Sequence, residues 1–506
     1  MVNTEVIVIG GGLNGLTAAA LLAHHGVHCI LIERHSATSI QYKFAGISPR
    51  SMEILRTLGI EEEIRAKRTG DQQGGGLGRA KNLADPNLQW TDAAWPDASP
   101  FSPTQPATCD QHVLEPILRA RAEALGAKVR FDTEFLSFEQ DAHGVRARVR
   151  SRATAGEETI AAPYLIAADG ANGSIRESSG IERSGVGVLQ HWMNIVFDTD
   201  LAPTLDGRRF TACFVTDINA TFTPRAGGRW LLSLQYSPEK GESAEDFDAA
   251  RVRELVRRGA GNADARAELV DARAWDAAAY VAERFQNGRC FILGDAAHLM
   301  PPTGAFGGNS GIHDAHNLVW KLAYVLHRGA SPTLLETFDA ERRPVIRATL
   351  EQALARLKRW FRDLGGRIPE TVDVVPDYDV VFGQRYREGA LVAEAGTDGT
   401  PFAGHSTLSG EPGTRAPHRL ITRAGRQVST LDLFDRDVVL LAPPGSGWRA
   451  PRGVQLIEVE DLGPFGVTES GAALVRPDGF VAWRSQTLAA DSAAALRGAA
   501  GSLGLT

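Results

Sequence analysis

Apolar residues open the chain in short unbroken runs. Val6-Ile7-Val8-Ile9 has no polar interruption, the pattern of a strand covered on both faces. A glycine cluster follows, then an Ala- and Leu-rich stretch from Leu16 to His25 that predicts a helix. A second apolar run, Val27 to Ile32, ends at Glu33. Strand, tight turn, helix and strand within about 30 residues predict a βαβ unit with a parallel sheet. Ser48-Pro49 reads as a helix N-cap with proline at the first helical position. That helix is predicted to run to about Leu58 and stop at Gly59.

Farther along, the pattern changes style more than once. Residues 70–108, rich in Gly, Pro, Asp and Gln, predict loop with little regular structure. Gln111 to Leu125 predicts a helix closed by Gly126. Val129 to Arg150 alternates, which predicts two strands around Asp141-Ala142-His143-Gly144. Pro163 to Ala168 is another buried strand, ending at Asp169-Gly170. From about 180 to 285 alternation dominates, with one acidic helix near 243–259, and this predicts a second domain inserted in the first. The unbroken style returns at Cys290-Phe291-Ile292-Leu293. Helices are predicted over Asp314–Leu326 and from about Leu334. Within the second, the run Arg347 to Arg362 mixes Glu, Arg and Lys with Leu and Ala, most simply a solvated amphipathic face. A third unit begins near 405, with strands at Val438–Leu441 and within Gly471–Arg484; no internal repeat is visible.

Composition narrows the class. A length of 506 residues corresponds to roughly three domains. Hydrophobic residues at 43% and charged residues at 23% are ordinary for a globular protein. The 53 glycines and 25 prolines fall well below a low-complexity content. A net charge of −7 argues against a dedicated nucleic-acid binder or a basic membrane-surface protein. Cys29, Cys109, Cys213 and Cys290 lie at least 77 residues apart, so neither metal-ligand spacing nor a disulfide framework is expected. No run approaches the ~18 apolar residues of a membrane span, and no leader pattern opens the chain. A cytoplasmic protein with no membrane or nucleic-acid partner is expected; oligomeric state stays open, a homo-oligomer being one option.

Gly10, Gly12 and Gly15 form GxGxxG between a buried strand and a helix. The first glycine permits the tight turn, the second lets backbone approach a pyrophosphate, and the third lets helix and strand pack closely. Leu13 and Asn14 lie inside the motif. Glu33, 18 residues after Gly15 at the end of the second strand, is placed to accept hydrogen bonds from an adenosine ribose, with Arg34 beside it. The motif implies dinucleotide binding and leaves FAD and NAD undecided. Two later segments bear on that choice. Asp169-Gly170-Ala171-Asn172-Gly173 and Gly294-Asp295-Ala296-Ala297-His298 each follow a buried strand directly. Asp295 in such a place suits a ribityl hydroxyl, and a helix beginning near Gly308-Asn309 would aim its amides at a flavin pyrimidine ring. An N-cap or Asx-turn is the plain alternative for each Asp.

The segment Gly294 to Asn309, GDAAHLMPPTGAFGGN, continuing through GIHDAHNLVWKLA to Ala323, resembles the FAD-dependent aromatic hydroxylases. These are the single-component flavoprotein monooxygenases typified by para-hydroxybenzoate hydroxylase. The likeness is closer to the polyketide hydroxylases acting on anthracycline- and angucycline-type aromatics, and it covers nearly the whole chain. The resemblance implies an α/β Rossmann-like FAD/NAD(P)-binding fold over 1–178 and 281–400, a mixed-sheet substrate domain over 179–280, and a thioredoxin-like domain over 401–506. The third unit's likeness rests on Arg415-Ala416-Pro417-His418, Ser429–Phe434 and Leu474–Gly479, and without cysteine it has no thiol redox chemistry.

Several roles follow from the resemblance. Glu33 would bind ribose, Gln111 would lie near FAD, and the Phe135 backbone would meet adenine. Asp169 would serve both FAD and NAD(P)H. Asp295 would bind the ribityl chain, Gly307, Gly308 and Asn309 would surround the isoalloxazine, and the Pro302 carbonyl would face substrate or flavin. The family arginine near the pyrophosphate is replaced by Lys43-Phe44, which keeps the charge and loses the bidentate fork.

The implied reaction consumes NADPH or NADH and O2. A flavin hydroperoxide transfers one oxygen atom to a small electron-rich aromatic substrate. A phenolate would be stabilised by a cation, and Arg385, within an Arg-Tyr-Arg run shared with related hydroxylases, is the candidate; an ordinary ion pair is its plain alternative. Arg225 and Arg229, which flank a turn in the inserted domain, are a weaker alternative for binding a substrate anion because they match no family residue. His298 reads as packing or capping, and His24-His25 as suited to a helix C-terminus. Three rival readings share some motifs. Baeyer–Villiger, epoxidising or antibiotic-inactivating oxygenation fits all of them. A flavin halogenase would need Trp-x-Trp-x-Ile-Pro, which is absent; a flavin-binding protein without oxygenase turnover would not need the intact motif set.

Overall fold

The computed structural model describes residues 2–67, 76–91, 95–225, 228–360, 368, 372–394, 399–489 and 491–505. The opening run forms the strand Val6–Ile9 at the centre of a six-stranded sheet. Across that sheet the order is Gln286–Asn287, Cys290–Ile292, Tyr164–Ala167, Val6–Ile9, Cys29–Ile32 and Lys128–Arg130. All pairings are parallel except the 286–292 hairpin. Val6 to Ile9 are at most 4% exposed, because helices and a second sheet both cover these strands. Burial on that scale is worth about 1.5–3 kcal/mol per aliphatic side chain.

The covering helices are Leu13–His24, Gln111–Ala124 and Phe306–His327. Ser48 caps the Pro49–Thr57 helix by accepting from the Ser51 N–H, a contact worth about 1 kcal/mol. The second sheet is four-stranded, in the order Val2–Asn3, Glu157–Ala162, Val145–Ser151, Thr133–Gln140. In Val145–Ser151 the expected alternation holds. Val145, Ala147 and Val149 are buried, while Arg146, Arg148 and Arg150 pair with Asp141, Glu157 and Glu134.

An eight-stranded sheet carries the 180–285 region, in the order His298–Leu299, Glu268–Ala282, Arg183–Asp198, Arg229–Tyr236, Ala220–Pro224, Ala212–Val215, Leu77–Ala80, Gln89–Thr91. The helix Ala249–Ala260 packs on one face, around Phe197, Phe222 and Leu232. Two expectations need correction here. Residues 77–80 and 89–91, expected as loop, are strands, and they complete this sheet from outside the 179–280 segment. Leu77–Ala80 pairs with Ala212–Val215, more than 130 residues away, and Gln89–Thr91 joins the sheet only through Leu77–Ala80, so the sequence around them does not show the sheet they complete. Residues 70–75 and 92–94 of that stretch lie outside the described residues.

The 306–327 helix starts two residues before the Gly308-Asn309 start expected from its motif and eight before the Asp314 expected from apolar periodicity, which glycines at 307, 308 and 311 dilute. The helix Thr337–Trp360 follows. Its run from Arg347 is not a solvated face: Leu350, Ala353 and Leu357 are buried, and Arg356, 8% exposed, is held by Asp377 and the Val375 carbonyl. The segment 372–382 covers it. Positions 361 and 362 lie outside the described residues.

The third unit has a mixed four-stranded sheet in the order Val454–Glu458, Val438–Ala442, Ala472–Val475, Val481–Ser485, with a closing helix Ser492–Ser502. All four cysteines are free and buried, and burial pushes Cys29, Cys109 and Cys290 up to about 12. Among the described residues no helix is long and apolar enough to cross a membrane, and no His/Cys/Asp/Glu cluster suits a metal.

Candidate active site

The glycine turn explains itself in part through the chain's own packing. A Cβ on Gly15 would stand 1.9 Å from the Gly10 carbonyl oxygen, and one on Gly10 would stand 2.2 Å from that of Ala168. Both positions exclude any larger residue whether or not a ligand binds. Gly12 differs: its Cβ would meet nothing closer than a Glu115 oxygen at 3.7 Å, and its φ of −82° suits any residue. Glycine at 12 therefore keeps open a space that the protein itself does not fill. A pyrophosphate resting against backbone fits that cradle.

Glu33 forms the neighbouring wall. One carboxylate oxygen accepts from the Gly11 N–H at 2.7 Å, and the other contacts the N–H and ring of His35 at 2.8 and 2.5 Å. Arg34 is exposed, and its carbonyl accepts from Arg152. Leu13 is buried. Asn14 is wedged where Gly294 and Gly311 lack side chains, and its Oδ1 is buried without a partner. It thus locks the glycine turn against the Asp295 loop. Asp169 accepts from the Ile175 N–H at 3.1 Å while its other oxygen is buried and unpartnered. Burial raises its carboxyl above the usual range, despite backbone donors that lower it. Phe135 lies in the Thr133–Gln140 strand opposite Val149, where the register shifts, and the adjoining Thr133 N–H donates to the Glu33 carbonyl.

The Gly294–His298 segment lies where two sheets meet. Cys290–Ile292 belongs to the parallel sheet and His298–Leu299 to the eight-stranded one. Asp295 is exposed, yet protein surrounds it closely enough for burial to raise its carboxyl; His298 and Lys43 act to lower it. Asp295 is thus open to solvent while protein packs closely around it, and we refer to this opening as the cleft. Lys43, itself exposed, brings the 42–46 segment to the same cleft. The Phe306–His327 helix begins after Gly304 and Ala305, both at positive φ, and no side chain caps its start. Gly308 must lack a Cβ because the Phe44 ring would be 2.5 Å away, whereas Gly307 has only Met300 at 3.5 Å.

Some assignments change once side chains are seen. Asn309 turns its side chain inward, accepting from the Ser48 N–H and donating to the Gly46 and Ala305 carbonyls. Any contribution to a flavin ring must then come from its backbone. The Pro302 carbonyl accepts from the Ala305 N–H at 3.1 Å, in the turn before the helix. Gln111 donates to Glu115 at 2.6 Å. Glu115, unsuspected in the sequence, is buried beneath Gly12 and also accepts from the Ser39 N–H; burial raises its carboxyl. Arg385 has its partners elsewhere: Glu411 at 3.1 Å and the Thr400 hydroxyl at 3.3 Å. Arg225 pairs with Asp110 and lies over the Tyr42 ring, while Arg229 pairs with Asp198.

Sequence reasoning also missed Asp314 and Arg342, both fully buried. Asp314 accepts from the Gly294 N–H and contacts His298 Nε2 at 2.7 Å. Burial pushes its carboxyl up, but Arg342 and His298 outweigh this and hold it at about 2. Arg342 stands in the run Glu341-Arg342-Arg343, where nothing local distinguishes it.

Comparison with known proteins adds to this geometry. Residues 3–353 match the FAD binding domain family, and residues 409–503 match the aromatic-ring hydroxylase C-terminal family. The chain is 37% identical to tetracenomycin A2 monooxygenase-dioxygenase of Streptomyces glaucescens, over 98% of this chain and 95% of that protein. It is 36% identical to an aklavinone 12-hydroxylase of Streptomyces purpurascens, over 98% and 97% of the two chains. The crystal structure of aklavinone-11 hydroxylase in a ternary complex with FAD and aklavinone superimposes with a TM-score of 0.92 at 34% identity, covering 99% of each chain.

Proposed function

The chain belongs to the FAD-dependent aromatic-ring hydroxylases, and we propose that it hydroxylates a polycyclic aromatic of polyketide type with NAD(P)H and O2 as co-substrates. The observation that carries the reading is the convergence of three features on one cleft. They are the open backbone at Gly12, the accessible Asp295 carboxylate and the uncapped start of the Phe306–His327 helix. Bound FAD would supply the redox chemistry, taking electrons from NAD(P)H and delivering one oxygen atom of O2 to the ring.

The residues divide the remaining work. Gly12 receives the pyrophosphate against bare backbone, with Lys43 supplying positive charge at the cleft. Glu33 accepts from the adenosine ribose, and Asp295 accepts from the ribityl hydroxyls. The amides of Gly307, Gly308 and Asn309 face the flavin ring, where negative charge develops on reduction. Asp169 contributes its unpartnered oxygen to the same wall. The Arg-Tyr-Arg run shared with related hydroxylases supports Arg385 as the cation for a substrate phenolate, and Glu411 and the Thr400 hydroxyl hold its guanidinium.

In this reading the six-stranded parallel sheet is a Rossmann-like FAD-binding unit. The eight-stranded sheet, with its 77–91 strands, is the substrate-binding unit, and 401–506 is a thioredoxin-like appendage. The test is aerobic NADPH oxidation by the FAD-loaded protein under 18O2, with a panel of phenols and polycyclic hydroxyquinones and product masses recorded. Substrate-stimulated oxidation with a gain of one labelled oxygen is expected. A gain of more than one would favour the monooxygenase-dioxygenase type named for the Streptomyces glaucescens relative. Oxidation without oxygen gain, or NADPH use indifferent to every compound, would overturn the reading.

A further inference from the structure

Arg342 donates in three directions from complete burial. Its Nε reaches Asp314 Oδ1 at 2.8 Å. Its Nη1 reaches Gln384 Oε1 at 2.9 Å and the Tyr386 hydroxyl at 3.2 Å. Its Nη2 reaches the Ser310 carbonyl at 3.4 Å. Asp314, Gln384 and Tyr386 are themselves no more than 4% exposed.

The partners lead to different places. Asp314 holds the Gly294 N–H and the His298 ring, the two ends of the segment that carries Asp295. Gln384 and Tyr386 flank Arg385 on both sides, and the Tyr386 N–H is fixed to the Gly413 carbonyl. Ser310 lies one residue past Asn309, in the first turns of the Phe306–His327 helix. One guanidinium therefore touches the support of the Asp295 loop, the support of Arg385, and the helix that starts at the cleft.

A buried guanidinium is costly, and apolar packing would serve plain stability as well or better. Only a planar group with five donors reaches a carboxylate, an amide, a hydroxyl and a carbonyl together; lysine keeps the charge and loses that spread. We propose that Arg342 is a positioning residue that ties the Asp295 loop to the Arg385 segment and so fixes the two halves of the active site relative to each other. The proposal rests on the readings that Asp295 faces the cofactor and that Arg385 serves the substrate.

R342K tests it, because the retained charge keeps Asp314 paired. Three quantities are measured on the full chain: the FAD dissociation constant of the apoprotein, the flavin absorption spectrum after reconstitution, and amide hydrogen exchange. R342K should weaken FAD binding about tenfold, the scale of one charge-assisted hydrogen bond, and shift the flavin band. Exchange should quicken at both 294–298 and 384–386. D314N should weaken FAD and quicken only 294–298. Y386F should quicken only 384–386 and leave FAD binding unchanged.

If R342K lowers thermal stability while FAD affinity and the flavin band stay put, the residue is merely structural and the proposal is wrong. It is equally wrong if R342K quickens only one of the two segments. D295N separates the two levels of the argument. Should D295N leave FAD binding unchanged, the Asp295 reading fails and takes the proposal with it. Should D295N weaken FAD while R342K does not, only the positioning role fails.

Discussion

Two charged neighbourhoods of this protein are built in opposite ways. Around the cleft, Asp295 and Lys43 are accessible and Asp169 keeps an unpartnered oxygen. Burial there raises the carboxyls of Asp295, Asp169 and Glu115. Between the Thr337–Trp360 helix and the third unit, every charge is enclosed and matched. Arg476 forks onto both oxygens of Glu341, at 2.7 and 2.9 Å, and onto Asp478, while Lys321 reaches Glu341 at 2.9 Å. Arg415 and Arg50 close on Glu53 nearby. Here burial also raises the carboxyls, but the cations outweigh it and hold Glu341 at about 2. Groups that hold the fold together have their hydrogen-bonding capacity filled by the chain. Asp169 and Asp295, the carboxylates we propose for the cofactor, are less completely engaged by the chain, and burial leaves their carboxyls raised.

Breaking the enclosed network should have the largest effect. Arg476→Met leaves buried carboxylates short of their cation and should cost about 3–5 kcal/mol. Chemical denaturation should show this loss, with unfolding of the third unit and the long helix affected together.

Acid comes next. Glu341 and Asp314 are both held at about 2, below their unfolded values, so their stabilisation is complete above about pH 4.5 and is lost as pH falls toward 2. Each should contribute on the order of a few kcal/mol over that window. The cleft carboxyls, raised in the fold, work in the opposite sense and gain stability on protonation. Melting temperature against pH should therefore fall steeply below 4.5, and Glu341→Gln should flatten that limb. An unchanged acid limb would remove the distinction between the two neighbourhoods.

The smallest effect on the fold should come from Gly12→Ala. The backbone there tolerates a side chain and the space is open, so the melting temperature of the apoprotein should hold or rise slightly. FAD affinity should fall about tenfold or more as the Cβ enters the cradle, which fluorescence titration reads directly. A stable variant that binds FAD normally would mean that the cofactor does not rest on Gly12.

Legibility in the sequence followed locality. The unit from Val6 to Glu33 was readable because its strands, turn and helix are each specified by neighbours a few residues apart. Ser48-Pro49 was readable for the same reason, as a cap acting on its own helix. Strands 77–80 and 89–91 were not, because the first is anchored on a distant strand, the second is attached only to the first, and both lie in a stretch rich in Gly, Pro, Asp and Gln. Arg356 was misread because the residues that hold it, Val375 and Asp377, lie 19 and 21 positions farther along the chain. The inward turn of the Asn309 side chain was not legible either, since its partners at 46 and 48 come from the other end of the unit.

The sequence alone determined much of the order of elements and the glycine turn. Those are consequences of backbone sterics and of apolar periodicity, which act over a few residues. Only the tertiary structure decided which charges are spent on each other. Arg476 meets Glu341 across 135 positions and Arg415 meets Glu53 across 362. An arginine's identity fixes its donors and its charge. Whether it meets a carboxylate of the chain, a ligand or water depends on which distant segment folding brings beside it.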